Sequence, residues 1–553
     1  MAQRSTLITP SPSQAFVAAS PLADAALSLC AAGLCLFPLF VPLAFPLPWL
    51  GLAFLLTSLR GKSWRRALFC ALLFGFVFHG AANYWLVATV ARLSPFTGLS
   101  PTAMLGWGIL AFFGALLWQV LFVALFGMLA WALLRRPCSG WRAVALGGGW
   151  LLTEWLRSLG TLGYPWALLA STQVAFLPLL QLCAWLGSYG LSALLVAINA
   201  LLAMAWWERR WVWGLWAMGL LVAAIAFGWW DGKRVRHQIR QAPFLTVAVV
   251  QGNFGMSRWR PDVQESQWRV ILKEHLRLSE LAARRGAKVI VWSETALPWA
   301  LRVDGRWQWG YSALQDFVRQ RRVVLFVGAG EWRKGRSYNA CFVFAPTQRG
   351  AEFVGVYQKA RLVPFGEYIP WREQLPWLVN WLPQRPDETT PGKSVAPLLI
   401  PSPRPFLAAI AICFESLFPF HVRQLLRCDT KTPSLLVILT NDHWFGNTLA
   451  PYHHARVALL RAVESRRAVA RCAGTGISLL ALPTGQILEW AGWQKRTVLV
   501  ASLPLMTKPS PYHQVGDGPF VAIALLLVGW GWAQGKGQER RGRKEGTNLM
   551  RWR

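Results

Sequence analysis

The apolar residues of this 553-residue chain are unevenly distributed, and their distribution constrains the fold more than any single motif. They concentrate between residues 24 and 230 and return at about 518 to 534. Several runs reach the roughly 20 residues that a helix needs to cross a bilayer core of about 30 Å. We therefore predict a membrane α-helical bundle of about eight spans, near residues 24–43, 46–59, 66–90, 103–134, 141–157, 175–206, 211–230 and 518–534.

The net charge of +32 would suit a nucleic-acid-binding protein. The placement of the basic residues therefore decides between a nucleic-acid-binding protein and a membrane protein. They cluster in alternate short loops and in the C-terminal tail. The loop residues are Arg60, Lys62, Arg65, Arg66, Arg135, Arg136, Arg142, Arg209 and Arg210, and the tail residues are Lys536, Arg540, Arg541, Arg543, Lys544, Arg551 and Arg553. This positive-inside pattern predicts both termini in the cytoplasm, the domain before the last span on the far side, and no nucleic-acid partner.

The chain divides into three predicted parts: a membrane domain with seven spans at 1–230, a domain outside the membrane at 231–517, and a last span with a basic tail at 518–553. Residues 231–244 are predicted to form a charged connector. Beyond it, strand-like runs alternate with helical stretches, including a helix at about 264–285 and a long one at about 453–471. That alternation is typical of a layered α/β domain.

Three strand-like runs in this domain each lead to a residue with catalytic chemistry: Glu294, Lys359 and Cys413. A thiol near its free pKa of about 8.5 is mostly protonated at neutral pH, so a neighbouring carboxylate is needed to take its proton. Glu294 is the candidate base and Cys413 the candidate nucleophile. Attack of a thiol on a carbonyl carbon passes through an oxyanion, for which Lys359 is the candidate cation and the backbone N–H of Phe414 a candidate second donor if a helix begins there.

The motifs around these residues resemble the nitrilase superfamily, whose sites use a Glu, a Lys and a Cys on an α-β-β-α sandwich. With spans before and after the domain, the chain is similar to the apolipoprotein N-acyltransferase family. The motifs are Gln251-Gly-Asn253, Trp292-Ser-Glu-Thr-Ala-Leu-Pro298, Leu362-Val-Pro-Phe-Gly-Glu-Tyr-Ile-Pro370, Ile412-Cys-Phe-Glu415 and Thr440-Asn-Asp-His-Trp-Phe-Gly446, with Asn83-Tyr-Trp85 and Thr153-Glu-Trp-Leu-Arg157 in the membrane part.

The resemblance implies that Glu367 and Glu415 border the site, holding Lys359 and orienting an incoming amine, and that Trp444 and Phe445 line an acyl-chain entrance. It also implies acyl transfer from a membrane phospholipid to a diacylated apolipoprotein, by a monomer in the bacterial inner membrane with a periplasmic catalytic domain. Two other readings stay open: a membrane-tethered amidase that hydrolyses its thioester, and a non-catalytic membrane scaffold.

The sequence gives no support for a metal or cofactor site. The nine cysteines include no C-x-x-C pair, and no carboxylate or cysteine accompanies His443, His453 and His454 at ligand spacing. We therefore expect neither. One departure from the family pattern concerns Trp259: the stretch before it lacks the usual proline, which weakens its assignment as a substrate contact.

Overall fold

The computed structural model describes residues 20–255, 265–348, 350–382, 388–402, 404–427 and 434–530. Its first part is entirely helical, because these segments are apolar on nearly every side and their backbone groups bond within the helix. The helices are α1 Pro21–Phe40, α2 Pro48–Leu59, α3 Trp64–Asn83, α4 Trp85–Ala91, α5 Ser94–Thr97, α6 Pro101–Leu134, α7 Gly140–Arg157, α8 Leu177–Leu180, α9 Cys183–Glu208 and α10 Trp211–Gln241.

Five of the described helices are long and apolar enough to cross a membrane: α1, α3, α6, α9 and α10. The second predicted span is α2, whose 12 residues extend only about 18 Å. The last predicted span begins as α17, Gly518–Trp530, and its remaining residues lie outside the described part of the chain. The structure thus shows an apolar helical region, while the number of about eight spans stays a prediction.

Two helices differ from the sequence prediction. The span predicted at 175–206 is interrupted at Gly187, which has φ +69° and packs against the ring of Tyr512, where a Cβ has no room. The charged connector predicted at 231–244 forms instead the last turns of α10. Asp231 lies in these turns and stabilises them, because it pairs with Arg234 at 2.7 Å and with Arg466 of the domain that follows.

The catalytic domain contains two mixed sheets. The first sheet has the strand order β14-β1-β2-β5-β3-β4, and β6 and β7 extend from β5. Its strands are β1 Phe244–Gln251, β2 Val289–Trp292, β3 Ala300–Val303, β4 Arg306–Trp307, β5 Val324–Arg333, β6 Arg336–Pro346, β7 Ala351–Gln358 and β14 Thr497–Pro504. The second sheet has the order β13-β12-β11-β10-β9-β8, with strands β8 Leu398–Ile400, β9 Phe406–Ile412, β10 Ser434–Thr440, β11 Val469–Ala473, β12 Ser478–Ala481 and β13 Ile487–Ala491.

The two sheets pack face to face with helices outside them, which gives the α-β-β-α sandwich. Alternate residues of β1 show the layering: Val247 and Val249 join the core shared with the second sheet, whereas Ala248 and Val250 pack beneath the helices on the outer face. The domain's helices are α11 Glu265–Arg284, α12 Tyr311–Arg321, α13 Pro376–Trp381, α14 Pro419–Leu425, α15 Ala450–Ser465 and α16 Pro511–Val515.

The helix predicted at 453–471 is wrong at its C-terminal end. α15 ends at Ser465, because Arg466 adopts a left-handed conformation, and the chain continues into β11, every residue of which is buried. α15 also joins the two domains. Its Arg461 and Glu464 pair with each other, and both bond to Ser188 of α9. The catalytic domain is therefore held directly on the membrane helices.

Candidate active site

Three strand ends bring the predicted catalytic side chains to one buried place. β2 ends two residues before Glu294, β7 ends directly before Lys359, and β9 ends directly before Cys413. Glu294 is 5% exposed and Lys359 is 1% exposed. Charges this deeply buried are stable only when they are paired, so their partners define the site.

Lys359 lies between two carboxylates. Its Nζ donates to Glu294 Oε1 at 3.2 Å and to Glu367 Oε1 at 2.8 Å. Asn339 Nδ2 donates to the same two oxygens, at 2.8 Å and 3.4 Å. The second oxygen of Glu367 accepts from the backbone N–H of Val363 at 2.8 Å. Two donors thus hold the two carboxylates in place, and Glu367 holds Lys359 directly.

The charge of Lys359 is secured by these neighbours. Burial alone would lower the pKa of Lys359, but the charges of Glu294 and Glu367 outweigh burial and raise its pKa well above the usual value. Lys359 is therefore a cation throughout the physiological pH range. With one cation against two carboxylates, the cluster keeps a negative charge that can accept a proton.

Cys413 directly follows β9 and is the first residue of the 3-10 turn Cys413–Leu417, where its backbone is strained. Its φ is +54°, a left-handed conformation that is uncommon outside glycine. Ser416 Oγ donates to the Cys413 carbonyl at 2.8 Å, and His454 Nε2 lies 3.3 Å from the same oxygen. The next residue, Phe414, is in the first turn, where backbone N–H groups have no partner within a helix.

The thiol of Cys413 is neutral at rest. Burial raises its pKa, the charge of Glu294 raises it further, and the charge of Lys359 partly opposes both. The resulting pKa of Cys413 lies above the ordinary value of a thiol. Deprotonation of such a thiol requires a base, and Glu294 is the carboxylate whose charge acts most strongly on it.

A second polar network lies beside Cys413, and the sequence did not indicate how its members pair. Asp442 Oδ1 accepts from Thr440 Oγ1 at 2.9 Å and contacts His454 Nδ1 at 3.0 Å, while its Oδ2 accepts from Arg471 at 3.0 Å. Burial would raise the pKa of Asp442, but Arg471 and His454 hold it far below the usual value. Thr440 lowers and Asp442 raises the pKa of the Cys413 thiol, so the network acts on this thiol electrostatically.

Glu415 binds backbone groups and not the Lys359 amine. Its Oε1 accepts from the backbone N–H groups of Ala360 and Arg361 at 2.7 and 3.0 Å and from Tyr357 Oη at 2.8 Å. Its Oε2 accepts from the N–H of Ile412 at 2.7 Å. The side chain therefore ties the segment after Lys359 to the turn that carries Cys413.

Burial alone would raise the pKa of Glu415, but hydrogen bonds from His421 and from the backbone outweigh it and lower the pKa below the ordinary value. Glu415 is 0% exposed, so it does not face an incoming amine in this structure. Its place corresponds to a positioning role rather than to substrate contact.

Aromatic side chains from both domains meet beside Cys413. Phe414 stacks on Tyr164 of the membrane domain, with ring centroids 6.5 Å apart. Phe445 contacts Trp85 and Trp166 at 4.7 and 6.1 Å. Trp444 packs on Phe96 of α5 at 6.3 Å. Phe414, Trp444 and Phe445 thus lie in an aromatic cluster that is continuous with the membrane domain.

The structure adds residues to those predicted. Asn339 and Tyr357 face the site from β6 and β7, but nothing in a strand sequence separates a site-facing polar residue from a solvent-facing one. Arg361 stacks over Phe418 at 3.7 Å and donates to the carbonyl of Gly160 at 2.9 Å, joining the Lys359 loop to the membrane domain. In the sequence, only its position two residues after Lys359 indicated that Arg361 lies near the site.

The histidines considered as metal ligands have other contacts. His454 bonds to Asp442, and His453 Nε2 accepts from the backbone N–H of Ala167 at 3.2 Å. Across the described ranges, no group of three His, Cys, Asp or Glu side chains gathers as metal ligands do. Trp259 lies outside the described residues, as does Cys428, one of the nine cysteines.

Comparison with known proteins finds matches for both parts of the chain. Residues 246–508 match the carbon-nitrogen hydrolase family, and residues 32–201 match the apolipoprotein N-acyltransferase N-terminal domain. The two matched segments correspond to the sandwich and to most of the helical region.

Similar whole proteins carry the same two parts. An apolipoprotein N-acyltransferase of Caulobacter vibrioides is 31% identical over 490 residues, covering 85% of each chain. One of Gloeobacter violaceus is 31% identical over 508 residues, covering 90% of this chain and 91% of the relative. One of Geobacter metallireducens is 30% identical over 494 residues, covering 85% and 88%. With these similarities spanning both domains, the chain belongs to the apolipoprotein N-acyltransferase family.

Proposed function

We propose that this membrane enzyme transfers a fatty acyl chain from a phospholipid to the α-amine of an N-terminal diacylglyceryl-cysteine, through a thioester on Cys413. The observation that carries the proposal is the placement of Lys359 between Glu294 and Glu367, where both Glu294 and Lys359 act electrostatically on the Cys413 thiol. Membership of the family supports the choice of substrates.

In the first half-reaction, Glu294 takes the thiol proton while the sulfur of Cys413 attacks the ester carbonyl. The oxyanion forms beside Lys359 Nζ and the N–H of Phe414. Collapse of this intermediate breaks the bond to the glycerol oxygen, which takes the proton from Glu294 and leaves as part of the lysophospholipid. The acyl chain remains on sulfur.

In the second half-reaction, the amine attacks the thioester and gives its proton to Glu294. The amide forms, the C–S bond breaks, and the thiolate takes back the proton. The neutral resting thiol suits this cycle, because its raised pKa makes the protonated sulfur the stable end state. No metal or cofactor is needed for either half-reaction.

Acyl transfer between two lipids also gives a reason for the membrane helices. A soluble enzyme would have to extract each tail from the bilayer at about 0.8 kcal/mol per CH₂ group. The contacts of α15 with α9, and of Phe414 with Tyr164, instead hold the site against the membrane domain. We propose that the protein acts as a monomer, since Glu294, Lys359 and Cys413 all come from one chain.

The test is a single-turnover experiment. Phospholipid alone should leave an acyl chain on Cys413, because the first half-reaction needs no acceptor. The adduct should be released by neutral hydroxylamine and should disappear on adding a lipopeptide with a free amine. Cys413→Ser should form no thioester, while Cys472→Ser, which changes a buried thiol on β11, should behave as wild type.

The same experiment separates the alternatives. Release of the chain as free fatty acid in water, at the rate seen with lipopeptide, would favour an amidase-like hydrolase. Normal transfer by Cys413→Ser would contradict the covalent mechanism, and no adduct or transfer at all would favour a scaffold.

We further propose that the protein lies in the bacterial inner membrane with parts 1–230, 231–517 and 518–553 as predicted and with the catalytic domain in the periplasm. The charge asymmetry of the loops supports this orientation. Reporters fused after residues 137 and 545 should give cytoplasmic signals, and one inserted near residue 390 a periplasmic signal. A cytoplasmic signal at 390 would reverse the orientation.

A further inference from the structure

The carbonyl oxygen of the nucleophile lies within hydrogen-bond distance of two buried side chains. Ser416 Oγ donates to the Cys413 carbonyl at 2.8 Å, and His454 Nε2 lies 3.3 Å from the same oxygen. Ser416 and His454 are each 1% exposed. Neither side chain has a part in the two half-reactions, so their convergence on one carbonyl needs another explanation.

The Cys413 carbonyl and the N–H of Phe414 belong to one peptide unit. Among the described residues no peptide bond is cis, and the C=O and N–H of a planar trans peptide point in opposite directions. Ser416 and His454 hold the oxygen at one end of this unit. They thereby fix the direction of the N–H at its other end, which is the second donor proposed for the oxyanion.

His454 is itself held in place by a charged partner. Its Nδ1 lies 3.0 Å from Asp442 Oδ1, and Arg471 donates to Asp442 Oδ2 at 3.0 Å. An ionised carboxylate only accepts hydrogen bonds, so Nδ1 carries a proton and donates it to Asp442. The imidazole ring cannot turn away from the Cys413 carbonyl without losing this bond.

The neighbours of His454 Nε2 require a proton there as well. They are the Cys413 carbonyl, which only accepts, and Ser416 Oγ at 3.2 Å. Ser416 has a single hydroxyl proton, and its shorter contact is the one with the carbonyl. With both ring nitrogens protonated, His454 is an imidazolium that donates to Asp442 on one side and to the carbonyl on the other. A charged donor strengthens such a hydrogen bond.

The backbone of Cys413 gives a reason for two donors on one oxygen. Its φ of +54° is strained for a residue with a side chain, and such a conformation persists only where the surroundings enforce it. Donors at the carbonyl also polarise the peptide unit, which makes its N–H a stronger hydrogen-bond donor.

We propose that His454, held by Asp442, is a positioning residue that acts with Ser416 to aim the N–H of Phe414 at the oxyanion. The inference rests on the proposed function, because the oxyanion is the one formed when Cys413 is acylated. His454 acts through the peptide unit. It is not a base for the thiol, since both of its ring nitrogens already carry protons.

The test compares two reactions of the same thiol in the full-length protein. Acylation by phospholipid passes through an oxyanion, whereas alkylation by iodoacetamide displaces iodide at a saturated carbon and forms none. Both reactions require loss of the thiol proton. His454→Leu should slow single-turnover acylation at saturating phospholipid by about 10- to 100-fold, less than outright removal of an oxyanion donor, because Ser416 remains. Its rate of alkylation should change by less than about threefold.

Three further variants complete the test. His454→Gln keeps an N–H donor for the Cys413 carbonyl and should recover part of the acylation rate. Ser416→Ala removes the other donor and should show the same selective loss. His453→Gln is the matched control on α15, because His453 Nε2 accepts from the N–H of Ala167 and an amide oxygen can replace that acceptor. The ratio of its two rates should equal that of wild type.

Equal slowing of acylation and alkylation in His454→Leu would show a merely structural role and would overturn the proposal, as would unchanged acylation. If His454→Leu does not fold, the same comparison in Ser416→Ala decides, since that change removes only one hydroxyl.

Failure of the proposed function gives a different result. Wild-type protein would then form no thioester with phospholipid, and p-nitrophenyl acetate replaces it as the acyl donor, because attack of the thiol on this small ester also forms an oxyanion. A selective loss of this acylation in His454→Leu would uphold the positioning role, and a rate equal to that of wild type would overturn it.

Discussion

Replacing Glu415 by glutamine should uncouple the Lys359 loop from the Cys413 turn. The carboxylate accepts four hydrogen bonds from Tyr357 and the backbone, three at Oε1 and one at Oε2, and its Oε1 also lies 3.2 Å from His421 Nε2. Glutamine has a single acceptor oxygen, so in its better orientation the amide NH₂ faces the N–H of Ile412 and leaves that donor unpaired. The orphaned donor costs about 1–3 kcal/mol, and the three remaining bonds lose the strength that the charge gave them. We expect a total of roughly 4–6 kcal/mol.

The effect should appear in two measurements. Thiol acylation by phospholipid should slow by at least 100-fold, and the apparent melting temperature in detergent should fall. Glu352→Gln is the matched control, since it removes an exposed carboxylate from β7, the strand that leads into the same loop. Tyr357→Phe removes one of the four bonds and should give a smaller loss in both measurements.

The pH dependence provides a separate signature. The folded pKa of Glu415 is below the ordinary value of about 4.3, so this residue contributes stability that is complete above that pH and is lost as the pH falls. Glu415→Gln should therefore lose less stability than wild type between about pH 5 and pH 3. A Glu415→Gln protein with near-normal acylation and melting temperature would refute the clamping role.

Three further outcomes are expected. Lys359→Ala should slow adduct formation at least 100-fold in mass-spectrometric time courses. Lys359→Arg should also be slow, because a planar guanidinium cannot replace the amine of a side chain that is 1% exposed. Full-rate acylation by either variant would contradict the oxyanion role of Lys359. Because the pKa of Cys413 is raised, its alkylation by iodoacetamide should rise about tenfold per pH unit from pH 7 to 9, and a plateau near pH 7 would show a preformed thiolate. Gly446→Ala should reduce acyl transfer at least tenfold, because Gly446 has φ +64° and ψ −167°, a combination almost restricted to glycine, and because an added Cβ would collide with the Arg92 guanidinium. Adding Arg92→Ala removes the collision and should restore that part of the loss, and a normal rate in Gly446→Ala would contradict the prediction.

Local patterns in the sequence determined the layers of this protein and the location of its three catalytic candidates. Long apolar runs can only be helices in a bilayer, and short apolar runs between helical stretches form buried strands. Glu294, Lys359 and Cys413 could be named because each lies within two residues of the end of such a run. These predictions depend on residues that are neighbours in the chain, which is why they needed no tertiary structure.

Other features depended on contacts between residues that are distant in sequence. α9 breaks at Gly187, where Tyr512 packs from more than 300 residues away in the chain. Likewise, residues 231–241 stay helical because Asp231 forms an ion pair with Arg466 of the catalytic domain.

The candidate site shows the same division. The sequence indicated Glu415 as a bordering residue, but only the fold shows that it binds the backbone around Lys359 and Cys413. Asn339 lies 45 residues from Glu294 in the chain and donates to its carboxylate at 2.8 Å. Hydrophobic periodicity is local and can be read along the chain, whereas the partner of a buried polar group is chosen by the packing of distant segments.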